Sequence, residues 1–115
     1  MTLPKINMTD ILKLESASMV LAIPDWHTKG NYARDSEENK LQPSRPTACK
    51  FCLVGALDAV DVSPVKISRL LYDTINDLFG KRYSSLVAFN DAPETTNLEV
   101  SELLWVTAQT LRQAV

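Results

Sequence analysis

Residues 48–60 read Ala48-Cys49-Lys50-Phe51-Cys52-Leu53-Val54-Gly55-Ala56-Leu57-Asp58-Ala59-Val60, and Ala48, Phe51, Cys52, Gly55, Ala56 and Ala59 fall at relative spacings 0, 3, 4, 7, 8 and 11. That is the period of one helical face. Apart from Phe51 the face is built of small side chains, and Gly55 gives up about 1 kcal/mol of helix propensity relative to Ala, so a neighbour must press closely on the backbone there. The spacing predicts a central helix over residues 46–60, with Cys52 on its buried side.

Three further helices flank that stretch. The first is predicted over residues 9–22, capped by the Thr9 hydroxyl with Asp10 in its first turn, and Pro24 forces Ile23 out of helical geometry. Its apolar residues Ile11, Leu12, Leu14, Met19, Val20 and Leu21 form a broad stripe. Ser63-Pro64 opens the next, over residues 64–79, with Ile67, Leu70, Leu71, Thr74, Ile75 and Leu78 at helical spacing and Gly80 suited to a left-handed stop. Lys81 and Arg82 then lie near the negative end of its dipole. Residues 83–89 are too short an apolar run to classify, fitting a short helix or a strand, and Asn90-Asp91-Ala92-Pro93 reads as a side-chain-bonded turn. Thr96 and Glu99 then form a capping box for the last helix, over residues 97–114. Val100, Leu103, Leu104, Thr107, Ala108, Leu111 and Val115 line its inner face, Glu102, Gln109 and Arg112 look outward, and Trp105 falls off the stripe.

Between the first two helices lies an irregular insertion, residues 24–46, rich in Gly, Pro, Asn, Asp and Ser. Residues 31–34 and 40–42 are able to pair there as a short β-hairpin, and Trp26 and Tyr32 are expected to fold back onto the helices. The whole is a mainly α, compact four-helix single domain spanning residues 1–115.

Composition narrows the function classes. The chain has 115 residues, 45% of them apolar and 23% charged, and a formal charge of -2. That balance lacks the clustered Lys and Arg on which nucleic-acid affinity depends. Its halves, residues 1–57 with 7 basic and 6 acidic side chains and 58–115 with 5 and 8, differ only weakly. The apolar stretch at residues 19–23 is far short of the roughly 20 residues a bilayer requires. Two Cys are too few for a disulfide scaffold, so a cytoplasmic protein with reduced thiols is expected.

The elements Trp26, Gly30, Asn31-Tyr32-Ala33-Arg34-Asp35, Phe51-Cys52, Gly55-Ala56-Leu57 and Phe89-Asn90-Asp91-Ala92-Pro93 carry a resemblance covering about residues 8–112. In this order they resemble a small uncharacterised family of short bacterial and bacteriophage proteins, a domain of unknown function. The resemblance implies a bacterial or phage origin and a helical fold, and no activity. The chain departs from the pattern where Glu37-Glu38-Asn39 replaces an Asp-Gly turn, and Cys49 and His27 sit where no particular residue belongs.

Two constellations could carry chemistry. His27 could serve Cys52 as base, with Asn90 or Asp91 as orienter, but a thiol on a core face has a raised pKa and behaves as a small hydrophobe. Cys49 and Cys52 have the spacing of a metal knuckle, yet a structural zinc needs four ligands, and only His27 and Asp25 or Asp35 are at hand to complete them. No metal site and no cofactor is therefore expected, and the three scattered Gly offer no phosphate-cradling loop. Arg34 and Asp35 read most simply as a local ion pair. The reading favoured is a non-enzymatic protein acting on a protein partner, one form being an inhibitor of a host factor, through Trp26, Tyr32, Arg34 and Asp35. The alternative is a cysteine-dependent hydrolase or small-molecule binder using Cys52, His27, Asn90 and Asp91.

Overall fold

The computed structural model describes residues 6–80 and 83–114. In chain order it contains helix α1 (Met8–Leu21), strands β1 (Ala33–Arg34), β2 (Lys40–Leu41) and β3 (Lys50–Phe51), then helices α2 (Leu53–Ala59), α3 (Pro64–Phe79), α4 (Leu86–Asp91) and α5 (Asn97–Gln113). The three long helices are those the apolar periodicity predicts. Ile11, Leu14 and Leu21 from α1, Ile67, Leu71 and Ile75 from α3, and Val100, Leu103 and Leu104 from α5 meet in one core with Leu53, Leu57 and Phe89. Each such side chain contributes about 1.5–3 kcal/mol by leaving water.

Helices α1 and α5 run antiparallel along a close seam. Ser18 Oγ donates to the Ser101 carbonyl and Ser101 Oγ to the Ser18 carbonyl, both at 2.7 Å. Two small side chains thus satisfy each other while letting the backbones approach. Farther along, Glu15 accepts from Gln109 Nε2 at 2.6 Å and from Arg112 at 2.5 Å. Gln109 and Arg112 therefore turn to the seam and clasp a carboxylate, where an outward orientation was expected. The α1 stripe is also narrower than predicted: Leu12 and Met19 are exposed, and Ala17 and Ser18 take their places inside.

Several boundaries shift for local reasons. Asn7, not Thr9, caps α1, its side chain accepting from Asp10 N at 2.9 Å, in keeping with the stronger capping preference of Asn. Ser63 precedes Pro64 without a side-chain cap bond, while Gly80 takes the left-handed conformation expected of it, with φ 64°. The Thr96–Glu99 capping box is formed as predicted. Residues 83–89 contribute α4, a short fifth helix beyond the four expected, capped by Ser85 and anchored by Phe89 between Phe79 and Tyr83. The roles read for Lys81, Arg82 and Val115 lie outside the described residues.

Residues 46–60 depart furthest from the expected structure. The helix predicted over residues 46–60 begins only at Leu53, and Lys50–Phe51 is strand. The predicted hairpin is present, Ala33 opposite Leu41 and Arg34 opposite Lys40, and β3 adds to its other edge, giving an antiparallel sheet in the order β2-β1-β3. Backbone partners explain the change: Cys49 N donates to the Arg34 carbonyl, Phe51 N to that of Trp26 and Cys52 N to that of Tyr32, at 3.0, 2.9 and 3.1 Å. A helix through residues 48–52 would break all three bonds. The helical spacing of Ala48, Phe51 and Cys52 was thus a coincidence of a short window, whereas Gly55 and Ala56 do lie inside α2 and are buried.

Gly55 is pressed as the sequence demanded. A Cβ there would drive into the carbonyl of Tyr32, backbone that cannot swing away. The insertion is therefore anchored by its main chain. Its large rings are not folded inward as expected: Trp26 is 39% and Tyr32 54% exposed, while Ala33 is fully buried.

Candidate functional site

The insertion, the start of α2 and the end of α4 enclose a cleft of about 250 Å³, lined among others by Gly30, Tyr32, Cys52, Val54, Asn90 and Asp91. Asn90 organises it. Instead of standing in a turn, Asn90 lies in the last turn of α4 and is almost fully buried, most of its bonds reaching distant residues. Its Oδ1 accepts from Leu53 N at 2.9 Å and from His27 Nε2 at 2.6 Å, and its Nδ2 donates to the Thr28 carbonyl at 3.1 Å and to Asp91 Oδ1 at 2.9 Å. All four bonding positions are filled. The backbone amide of Leu53 fixes which end of the amide is oxygen, so His27 must present Nε2–H and keep its lone pair on Nδ1.

Asp91 closes the other wall. Its Oδ1 also accepts from Gly30 N at 3.1 Å, which ties α4 to the insertion, and Lys29 Nζ holds the neighbouring Ala92 carbonyl at 2.6 Å. Arg34, its guanidinium beside Gly30, braces the loop instead of pairing with Asp35. Its guanidinium donates to Thr28 Oγ1 and to the carbonyls of Lys29 and Glu38. Asp35 accepts from the amides of Glu37 and Asn39 at 2.9 Å and from the Asn39 side chain at 3.1 Å, which holds its carboxyl below the usual range and shapes the hairpin turn. In that turn Glu38 takes a φ of 69°, the conformation an Asp-Gly turn would give to glycine, and its carboxylate pairs with Lys50.

Cys52 sits at the floor of the cleft, 5% exposed. It is the N-cap of α2, its sulfur accepting from Gly55 N at 3.2 Å. Burial pushes its thiol pKa up, backbone amides at the helix start oppose that, and the Asp91 charge adds to it. No hydrogen bond joins Cys52 to His27 among the described residues. Burial likewise holds the His27 imidazole below its ordinary value, against the pull of Asn90. The set Cys52, His27, Asn90 and Asp91 is therefore gathered into one neighbourhood but wired for structure: cap, brace, hub and tie.

The two thiols do not share a helical turn, because Cys49 precedes β3 and Cys52 follows it. Both are free, and among the described residues no three His, Cys, Asp or Glu side chains converge as metal ligands. No helix among them is long and apolar enough to cross a membrane. Of the four expected interaction residues, Tyr32 stands on the cleft rim, Trp26 is exposed outside the lining, and Arg34 and Asp35 are engaged within the insertion. Sequence reasoning missed Thr28, the Gly30 amide and Asn31 as site components; the Gly30-Asn31 and Asn90-Asp91 pairs were visible, but nothing in one dimension joins them.

Fold and cleft together define a small, mainly helical protein in which a three-stranded appendage is sewn to the helices around Asn90, with Asp91 and Lys29 adding further ties. The chain belongs to the family of unknown function DUF6197, whose model matches residues 7–110. No curated protein and no solved structure matches it.

Proposed function

We propose that the protein acts by binding another protein, without catalysis of its own, and that the cleft and its Tyr32 rim are the point of contact. The observation that carries this reading is the division of labour around the cleft. Asn90, the Cys52 sulfur and one oxygen of Asp91 are taken up in fixing its shape, whereas Tyr32, held by its main chain against Gly55 and Cys52, keeps about half its surface (54%) in water. A rigidly mounted, half-exposed tyrosine beside a small concavity suits an interface anchor. The reading takes the protein to work in the cytoplasm, where Cys49 and Cys52 stay thiols. If the chain is of bacterial or phage origin, as its resemblance implies, inhibition of a host factor is one form the contact would take.

The test is affinity capture from the source cell with matched variants. Wild type and the remote surface variant Arg69→Ala should retain the same partner, and Tyr32→Ala should lose it while keeping its thermal midpoint. Retention by Tyr32→Ala, or loss only in Cys52→Ser, would refute the reading and turn attention to the thiol.

A further inference from the structure

Resting on the reading of the cleft as a recognition site, we infer that it receives the basic side chain of a protein partner, a guanidinium or alkylammonium group seated on Asp91 with its carbon stem against Tyr32 and Val54. Several of the cleft's donors are committed: Gly30 N and Asn90 Nδ2 go to Asp91, the adjoining Gly55 N to Cys52, and one hydrogen of Asn31 Nδ2 to the Ala33 carbonyl. Two of its acceptors are open. Asp91 Oδ1 holds two donors, while Oδ2 accepts no hydrogen bond among the described residues, and the Asn31 side-chain oxygen is likewise unoccupied there.

Asp91 is the charged residue among those lining the cleft. Two cations of the insertion lie nearby and both are engaged, Lys29 through its ammonium on the Ala92 carbonyl and Arg34, beside Gly30, through Thr28 Oγ1 and the carbonyls of Lys29 and Glu38. The remaining walls, Tyr32, Val54 and Val87, are apolar or aromatic. A ligand complementary to this surface has a hydrocarbon stem and a positively charged, donor-only head, which describes arginine and lysine. The aromatic ring at the rim favours the flatter guanidinium, which stacks as well as donates. At about 250 Å³ the cleft accommodates one such side chain, below the size usual for drug-like ligands.

Titration of the intact protein with blocked single residues, followed through the backbone amide signals of Gly30, Tyr32 and Asp91, tests this. N-acetyl-arginine amide should bind best, N-acetyl-lysine amide next, and the norleucine and glutamate counterparts about tenfold or more weaker, with affinity falling as salt is added. Asp91→Asn keeps an oxygen for Gly30 N and Asn90 Nδ2, so it should fold while losing about tenfold or more in arginine affinity. Should that variant not fold, the selectivity for arginine over norleucine in the wild type decides. Equal binding of norleucine amide, or binding unchanged in a folded Asp91→Asn, overturns the cation inference while leaving the recognition cleft standing. A simple alkylguanidine that binds where N-acetyl-arginine amide does not overturns the protein-borne source. Absence of any response to all probes overturns the inference outright, and the partner-capture result for Tyr32→Ala then judges the broader reading separately.

Discussion

Gly55 has no room for any side-chain atom, because the obstacle is the Tyr32 carbonyl, main chain already committed to Cys52 N at 3.1 Å. Gly55→Ala would ordinarily favour a helix by about 1 kcal/mol. Here the clash wins: relief requires moving the insertion off α2, and the variant should lose about 3 kcal/mol or more in urea unfolding. A stability equal to or above wild type would mean the insertion does not dock as described. Asn90 shows the same economy, since one buried amide serves a helix start, an imidazole, a loop carbonyl and a carboxylate at once.

At the level of elements, Cys52 is where a strand ends and a helix begins, and its sulfur is a cap before it is a core atom. The two roles predict opposite rankings. If capping dominates, Cys52→Ser should hold stability within about 0.5 kcal/mol, because a hydroxyl is the better acceptor, while Cys52→Ala should lose about 1 kcal/mol. If the thiol served mainly as a buried hydrophobe, alanine would be tolerated better than serine. Denaturant midpoints of the pair discriminate. Legibility is mixed at this scale: α3 and α5 were plain in the sequence because long apolar periods admit one interpretation. The start of α2 was not, because three residues of helical spacing cannot outweigh three backbone bonds to Trp26, Tyr32 and Arg34 of the insertion.

For the molecule as a whole, acid stability follows from one imidazole and two carboxylates, His27, Glu15 and Asp35, the last held low by its bonds from Asn39 and Glu37. Burial lowers the His27 pKa, so the folded state resists the proton that the unfolded state accepts. Its contribution is complete above the ordinary imidazole value of about 6.5 and is lost as pH falls through the lowered folded value. Glu15 is also lowered, by its bond from Gln109 and then by Arg112, so its contribution is complete above the ordinary carboxylate range and is lost at more acid pH. Stability measured across the acid range should therefore decline in two stages. His27→Gln, whose amide can still donate to Asn90, should flatten the first stage, and Glu15→Gln should reduce the second, leaving the share of Asp35. A wild-type curve flat through the histidine range would refute the assignment to His27.

The candidate site was readable only as fragments. Trp26, Tyr32, Cys52, Asn90 and Asp91 stood out as residue types, but their roles depended on partners about twenty to sixty positions away. By itself the sequence determined the long helices, the capping box, the hairpin and the need for glycine at position 55, because periodicity, side-chain capping and conformational restriction act over a few neighbouring residues. Tertiary structure alone decided that residues 50–51 would be strand, that Asn90 would bind a helix to a loop, and that Asp91 would face a cleft with an oxygen to spare. Those outcomes turn on buried backbone amides finding acceptors, and no local pattern reveals which acceptor will be near.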